Sequence, residues 1–196
     1  GRTRSIIGTQ SLVNAGIPNP VAALRNGTIG WTLAGFALDH GASRRAGAAS
    51  DPQRAEAAVA ARSVADRAGV RRANAALLAG FLAEKARTTY RFDVRTPEEC
   101  LQGHVPGFRN APGGQLVQET DVSAPVRGAR IVLSDDDGVR ANMTASWLAQ
   151  MGWEVWVLDG LTAEAFSERT PPAPALPAPS RPVQWIAARA LADALS

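Results

Sequence analysis

A chain of 196 residues, 45% hydrophobic and 20% charged, has room for one ordinary domain or two small ones and enough apolar content to bury a core, which excludes a wholly disordered segment. The 21 basic and 18 acidic residues leave a net charge of only +3, so charge alone implies no nucleic-acid partner, and no apolar run nears the roughly 20 residues of a membrane-spanning helix. A single cysteine excludes an internal disulfide and a Cys-rich zinc site; it suits a reducing compartment, and the expected location is cytoplasmic.

The chain begins at Gly1 with no leader pattern and is read as an internal fragment. Ile6, Ile7, Leu12 and Val13 mark one face of a helix over residues 3–15, which Gly16 and Pro18 stop. The apolar run Val21–Leu24, followed by Asn26-Gly27, predicts a short buried strand ending in a turn. Residues 51–68, opened by Asp51-Pro52 and rich in Ala, Arg and Glu, predict a solvent-facing helix that connects domains. Leu77, Leu78, Phe81 and Leu82 predict a further helix over residues 73–85. From there strand and helix alternate: strands at Tyr90–Val94, Ala129–Leu133 and Glu154–Leu158, with a helix at Ala141–Met151. That alternation is the mark of an α/β fold, a parallel sheet flanked by helices. Six prolines between Pro171 and Pro182 make a stiff linker, and Val183–Leu195 predicts an apolar-faced helix.

An internal repeat runs through this pattern. Arg4 lies twelve residues before Gly16, and Arg140 twelve before Gly152, with Leu12 and Leu148 in register between them. In each copy a Gly-containing loop precedes the Arg, a helix follows, and a predicted strand ends at Gly27 or Gly160. The second copy is shorter by three residues, the turn Ile17-Pro18-Asn19. A recurring loop, helix, turn and strand indicates duplicated domains.

In the second copy Asp93-Val94-Arg95 ends a strand, Pro97–Leu101 predicts a short helix, and Gly103-His104-Val105-Pro106-Gly107 makes a turn. With the strand Ile131-Val132-Leu133, the loop Asp135–Arg140 and the closing Asp159-Gly160, this resembles the rhodanese family over nearly all of residues 70–165. Gly1-Arg2-Thr3-Arg4-Ser5 and Ala23-Leu24-Arg25-Asn26-Gly27 resemble the back half of another such domain. The resemblance divides the chain into a C-terminal half-domain (1–50), a linker helix (51–68), a rhodanese-like domain (69–170), a Pro-rich linker (171–182) and the opening helix of a further domain (183–196). It implies sulfur transfer: a loop cysteine takes the sulfane sulfur of thiosulfate or another donor and passes it, as a persulfide, to cyanide or a thiol. It implies no cofactor and no metal, and its partners are those small molecules and neighbouring rhodanese domains, without nucleic acid or membrane.

The chain departs from that family pattern at the nucleophile. The register pairing Arg4 with Arg140 puts the family's cysteine position on Asp135, which cannot form a persulfide, and Asp136 and Asp137 add negative charge where an anionic donor would land. In the first copy the position falls two residues before Gly1. The active-site loops are therefore Gly1, Arg2, Thr3, Arg4 and Ser5 in one copy and Asp135, Asp136, Asp137, Gly138, Val139 and Arg140 in the other, with no catalytic residue in the second. Arg2 and Arg4 flank a cradle loop and have an anion to serve. The acidic run Asp135–Asp137 also suits the start of a helix, where the dipole favours negative charge. Cys100, on the short helix, has no helix N-terminus or paired base and is read as an ordinary core thiol.

Asp93, Arg95, Glu99 and His104 are read as a polar network fixing the strand end and turn, in preference to substrate contacts. Trp147, Trp153 and Trp156 are expected to pack together, each ring N–H reaching a partner. Three functions stay open: a tandem sulfurtransferase whose second domain is a degenerate copy; a non-catalytic rhodanese-like binding or regulatory module; and a Mg-dependent phosphatase using Asp135-x-Asp137, for which the only lysine, Lys85, lies upstream of the motif. Residues 1–35 are expected to be disordered or to pack on upstream chain, since one helix and one strand enclose no core.

Overall fold

The computed structural model describes residues 2–41, 43, 44, 47–169 and 185–195. In chain order its helices are α1 (Arg2–Ala15), α2 (Gly27–Leu33) and α3 (Asp51–Arg67). Strand β1 (Arg71–Ala73), α4 (Ala75–Ala83), β2 (Thr89–Asp93), α5 (Pro97–Gln102) and β3 (Arg109–Asn110) follow. The last group is α6 (Gly113–Gln118), α7 (Thr120–Ser123), β4 (Arg130–Ser134), α8 (Arg140–Gln150), β5 (Glu154–Leu158), a 3-10 turn at Ala163–Ala165, and α9 (Ala188–Ala194).

The helix starts are written locally. Ser50 and Gln53 form a capping box at α3, Thr96 and Glu99 another at α5, each with proline in the first turn, and the Asn74 side chain accepts the Leu77 N–H at α4. The five strands form one sheet in the order β1-β5-β4-β2-β3, every pairing parallel. Alternation then divides the side chains: Ile131, Leu133, Val155 and Val157 face a core closed by α3, α6 and α8, while Val132 and Leu158 face a second core under Leu78 and Phe81 of α4. A sheet covered on both faces explains why β4 is buried at every residue.

The predicted α/β class and the three central strands match this sheet. Four expectations need correction. Val21–Leu24 is not a strand but an irregular segment, because among the described residues no neighbouring strand offers the ladder bonds that extended backbone needs. The turn there comes from Asn26 and Gly27, both at positive φ (61° and 62°), and leads straight into α2. Residue Ala73, expected in a helix, belongs to the edge strand β1. And α3 is solvent-facing only over its first half, since Ala61, Val64 and Ala65 are buried beneath α8. Nor is the expected disorder of residues 1–35 met in α1, which packs on α3 and α6, with Ile7 against the main core. The Pro-rich stretch 171–182, with Val183 and Gln184, lies outside the described residues. Among the described residues no helix is long and apolar enough to cross a membrane.

Helices α1 and α8 end in the same way. Gly16 (φ +77°) and Gly152 (φ +86°) both take the left-handed conformation after α1 and α8. Gly16 N–H bonds the Val13 carbonyl and Ile17 N–H that of Leu12; Gly152 and Trp153 do the same to Ala149 and Leu148. This is a six-to-one, glycine-dependent helix stop, and Gly35 after α2 and Gly69 after α3 make it as well.

Candidate functional site

The carboxyl ends of parallel strands, where helices begin, are where α/β sheets place ligands. Here β4 runs into the loop Asp135–Val139 and then into α8, while β2 ends beside it at Asp93. Asp135 heads the loop and is buried, 6% exposed. Its carboxylate accepts the Gly138 N–H at 3.1 Å and the Ala141 N–H at 2.8 Å. Burial pushes its pKa up to about 7; the two N–H donors oppose that rise and the neighbouring Asp137 adds to it. Gly138 takes a positive φ, +70°, to turn its N–H inward.

The flanking acids are held by arginines. Asp136 accepts from Arg140 at 3.0 Å and meets Arg95 at 3.5 Å, and Asp137 accepts the Val139 N–H at 2.9 Å. Arg140 also reaches Glu99 at 2.6 Å, and that bond, with the capping box, holds Glu99 at about 2. Burial works against the Arg140 and Arg95 cations, yet their carboxylate partners outweigh it and raise both above the ordinary arginine value. Arg95 grips the fully buried Asp93 at 2.6 Å, donates to the Gly103 carbonyl at 2.6 Å and lies over the Phe166 ring at 4.5 Å. Two cations thus serve four carboxylates, Asp93, Glu99, Asp136 and Asp137, while Asp135 has only N–H donors, and the loop mouth is acidic.

The structure brings Asp93, Arg95 and Glu99 to the loop through these arginine contacts. It places His104 apart, bridged to Glu168 by paired backbone bonds, with Nδ1 3.0 Å from the Cys100 carbonyl. Cys100 is 2% exposed and burial, first, with Asp93 second, pushes its thiol pKa up, the reverse of what a nucleophile needs. Of the first loop, Gly1 and the side chains of Arg2 and Arg4 lie outside the described residues; Thr3 and Ser5 lie on α1. Trp147 and Trp153 pack on the main core but Trp156 lies on the opposite face of the sheet against Phe81, because β5 alternates. Lys85 lies between α4 and β2, at the end of the sheet away from Asp135.

Sequence reasoning missed the tie behind the loop. Asn142 donates to the Gly138 carbonyl at 2.6 Å and accepts from Arg72, which also pairs with Asp66 at 2.5 Å. Arg72 is seventy residues away on the edge strand, so no local pattern announces it. A cavity of about 270 Å³ between α1, α6 and α8 was likewise unforeseen. Ile7, Gly8 and Ser11 line it from one side and Met143, Thr144 and Trp147 from the other, and the Trp147 Nε1 donates to Ser11 Oγ at 2.9 Å. In the repeat register these are pairs, 7 with 143, 8 with 144 and 11 with 147.

Comparison with protein families decides the larger question: residues 65–163 match the rhodanese-like domain. The chain belongs to the rhodanese-like family. Residues 162–195, which include the Pro-rich stretch, also match a model of the EspF protein repeat. A solved structure, that of thiosulfate sulfurtransferase from Pseudomonas aeruginosa, is 66% identical to the rhodanese-like chain, covers all of it and superimposes with a TM-score of 0.84. The match covers 37% of that structure's chain, so this sequence spans little more than a third of its length. No curated protein sequence matches. The family assignment leaves the phosphatase reading of Asp135-x-Asp137 without support.

Proposed function

We propose that this chain is part of a tandem rhodanese-type sulfurtransferase that moves sulfane sulfur from thiosulfate to cyanide or a thiol, and that residues 69–170 are a degenerate, non-catalytic copy. In the transfer a loop thiolate attacks the outer sulfur of thiosulfate, breaks its S–S bond and releases sulfite; the resulting persulfide then yields that sulfur to cyanide as thiocyanate, or to a thiolate, and the cysteine thiolate returns. The observation that carries the non-catalytic reading is the position of Asp135. Its carboxylate already takes the Gly138 and Ala141 N–H groups, the donors a thiolate or persulfide would need, and Asp136 and Asp137 oppose any anionic donor.

The 66% identical neighbour, itself a thiosulfate sulfurtransferase, supports the substrate class. The pairing of equivalent positions across the cavity supports the tandem arrangement, because two copies of one unit facing each other through the same residues is how duplicated domains close on one another. The active copy would then be the one that includes Gly1-Arg2-Thr3-Arg4-Ser5, with its cysteine two positions ahead of Gly1.

Thiocyanate formation from thiosulfate and cyanide tests this. The 196-residue chain should give none above the uncatalysed rate. A polypeptide lengthened upstream to include the cysteine should turn over and show a mass increase of one sulfur atom; a lengthened protein with that cysteine but without persulfide would leave the binding-module reading in its place. Asp135→Cys alone should stay inactive while Asp136 and Asp137 remain.

A further inference from the structure

Residues 186–194 repeat residues 59–67. Ile186-Ala187-Ala188-Arg189-Ala190-Leu191-Ala192-Asp193-Ala194 lies over Val59-Ala60-Ala61-Arg62-Ser63-Val64-Ala65-Asp66-Arg67, keeping the alanines at three positions, the arginine, the aspartate and an aliphatic residue at both large apolar positions. The upper segment forms α9 and the lower one the second half of α3. Alanine alone would make this match cheap, but the fixed places of Arg, Asp and the aliphatics carry the work that α3 does.

In α3 that work is visible. Ala61, Val64 and Ala65 are buried against α8, small residues letting the two helices approach closely. Arg62 pairs with Asp159 at 2.9 Å, past the end of β5, and Asp66 with Arg72 of β1. In α9 the equivalents of the buried trio, Ala188, Leu191 and Ala192, are exposed: Leu191 is 45% exposed where Val64 is 5%. A repeat unit whose docking face is intact needs a neighbour of the kind its copy has.

We propose that α9 is a second copy of α3, and that its Ala188-Leu191-Ala192 face docks on the α8-type helix of another rhodanese-like unit of the parent polypeptide. Arg189 meets an aspartate in the place of Asp159, and Asp193 an arginine in the place of Arg72. This rests on the tandem reading above but not on sulfur transfer, so an inactive parent leaves it standing.

The test is amide hydrogen exchange over Ala188–Ala194 in this chain and in the parent polypeptide continued past Ser196. The continued polypeptide should slow exchange at these amides by about 100-fold or more. Leu191→Asp should remove that protection while leaving β4 and β5 protected, as Val64→Asp should lower the Tm of this chain by more than roughly 10 °C and Leu191→Asp should leave it within about 2 °C. Exchange that stays fast in the continued polypeptide, a parent sequence without a rhodanese-like unit after Ser196, protection in the present chain that rises with its concentration, or a large Tm loss from Leu191→Asp in the present chain would each overturn the proposal.

Discussion

Helices α1 and α8 share an Arg-to-Gly spacing, a leucine in register and the same left-handed glycine stop, yet Leu148 is wholly buried and Leu12 is 46% exposed. Both helices form because their local instructions are complete. Only α8 has β4 and β5 of its own sheet beneath it, with Ala141, Ala145 and Leu148 facing them. The loop ahead of α8 is tied by Asp93, Arg95, Glu99 and Asn142. Helix identity is thus a property of the segment, whereas its burial is a property of what surrounds it.

The largest expected effect breaks the ties of the second loop. Asp93→Asn leaves the buried Arg95 cation short of its carboxylate and should cost about 3–5 kcal/mol in urea unfolding. Next, Leu148→Ala should cost about 2–5 kcal/mol, while Leu12→Ala in this chain should cost less than about 1 kcal/mol; equal losses would erase the contrast between the helices.

The buried acid gives a pH signature. Asp135 has a folded pKa near 7, above its ordinary value of 3.8, so the folded state holds its proton while the unfolded state loses it. Stability should therefore fall as pH rises from about 4 to about 7, and Asp135→Asn should be more stable than the parent at pH 8 by a few kcal/mol and nearly equal to it at pH 4. A variant with an unchanged profile would remove the buried-acid account.

Smaller effects probe the contact between α1 and α8 and its border. Trp147→Phe removes the bond to Ser11 and should cost about 0.5–1.5 kcal/mol, with faster hydrogen exchange in α1 than in α8 as the sharper readout. Glu99→Gln weakens a partly exposed pair with Arg140, so less than about 1 kcal/mol is expected. Because Glu99 is held at about 2, below its ordinary 4.5, that increment should be present at neutral pH and disappear as pH falls from about 4.5 toward 2.

The fold was legible where apolar runs were long and bounded. Thr89–Asp93, Arg130–Ser134 and Glu154–Leu158 carry their strand signal in side chains that the sheet later buries, and Gly16 and Gly152 announce helix stops by themselves. Val21–Leu24 carries a similar apolar signal and is no strand, and Arg71–Ala73 carries almost none and is one, because a strand exists only through its partner's backbone. At the site, the acidic loop and Arg140 were legible from register; the hold of Arg72 on Asn142, and the departure of His104 to Glu168, were not, since each joins distant residues.

What residue order determined here is the set of helices, their caps and stops, the alternation of the inner strands, and an aspartate where the family resemblance expects sulfur; these depend on neighbours within a few turns of chain. Tertiary structure alone decided which of two like helices is covered, which arginine neutralises which acid, and that Asp135 is sealed among N–H donors and raised toward neutrality. Burial and electrostatics are sums over whatever folds in from afar, and those sums exist only once the sheet has closed.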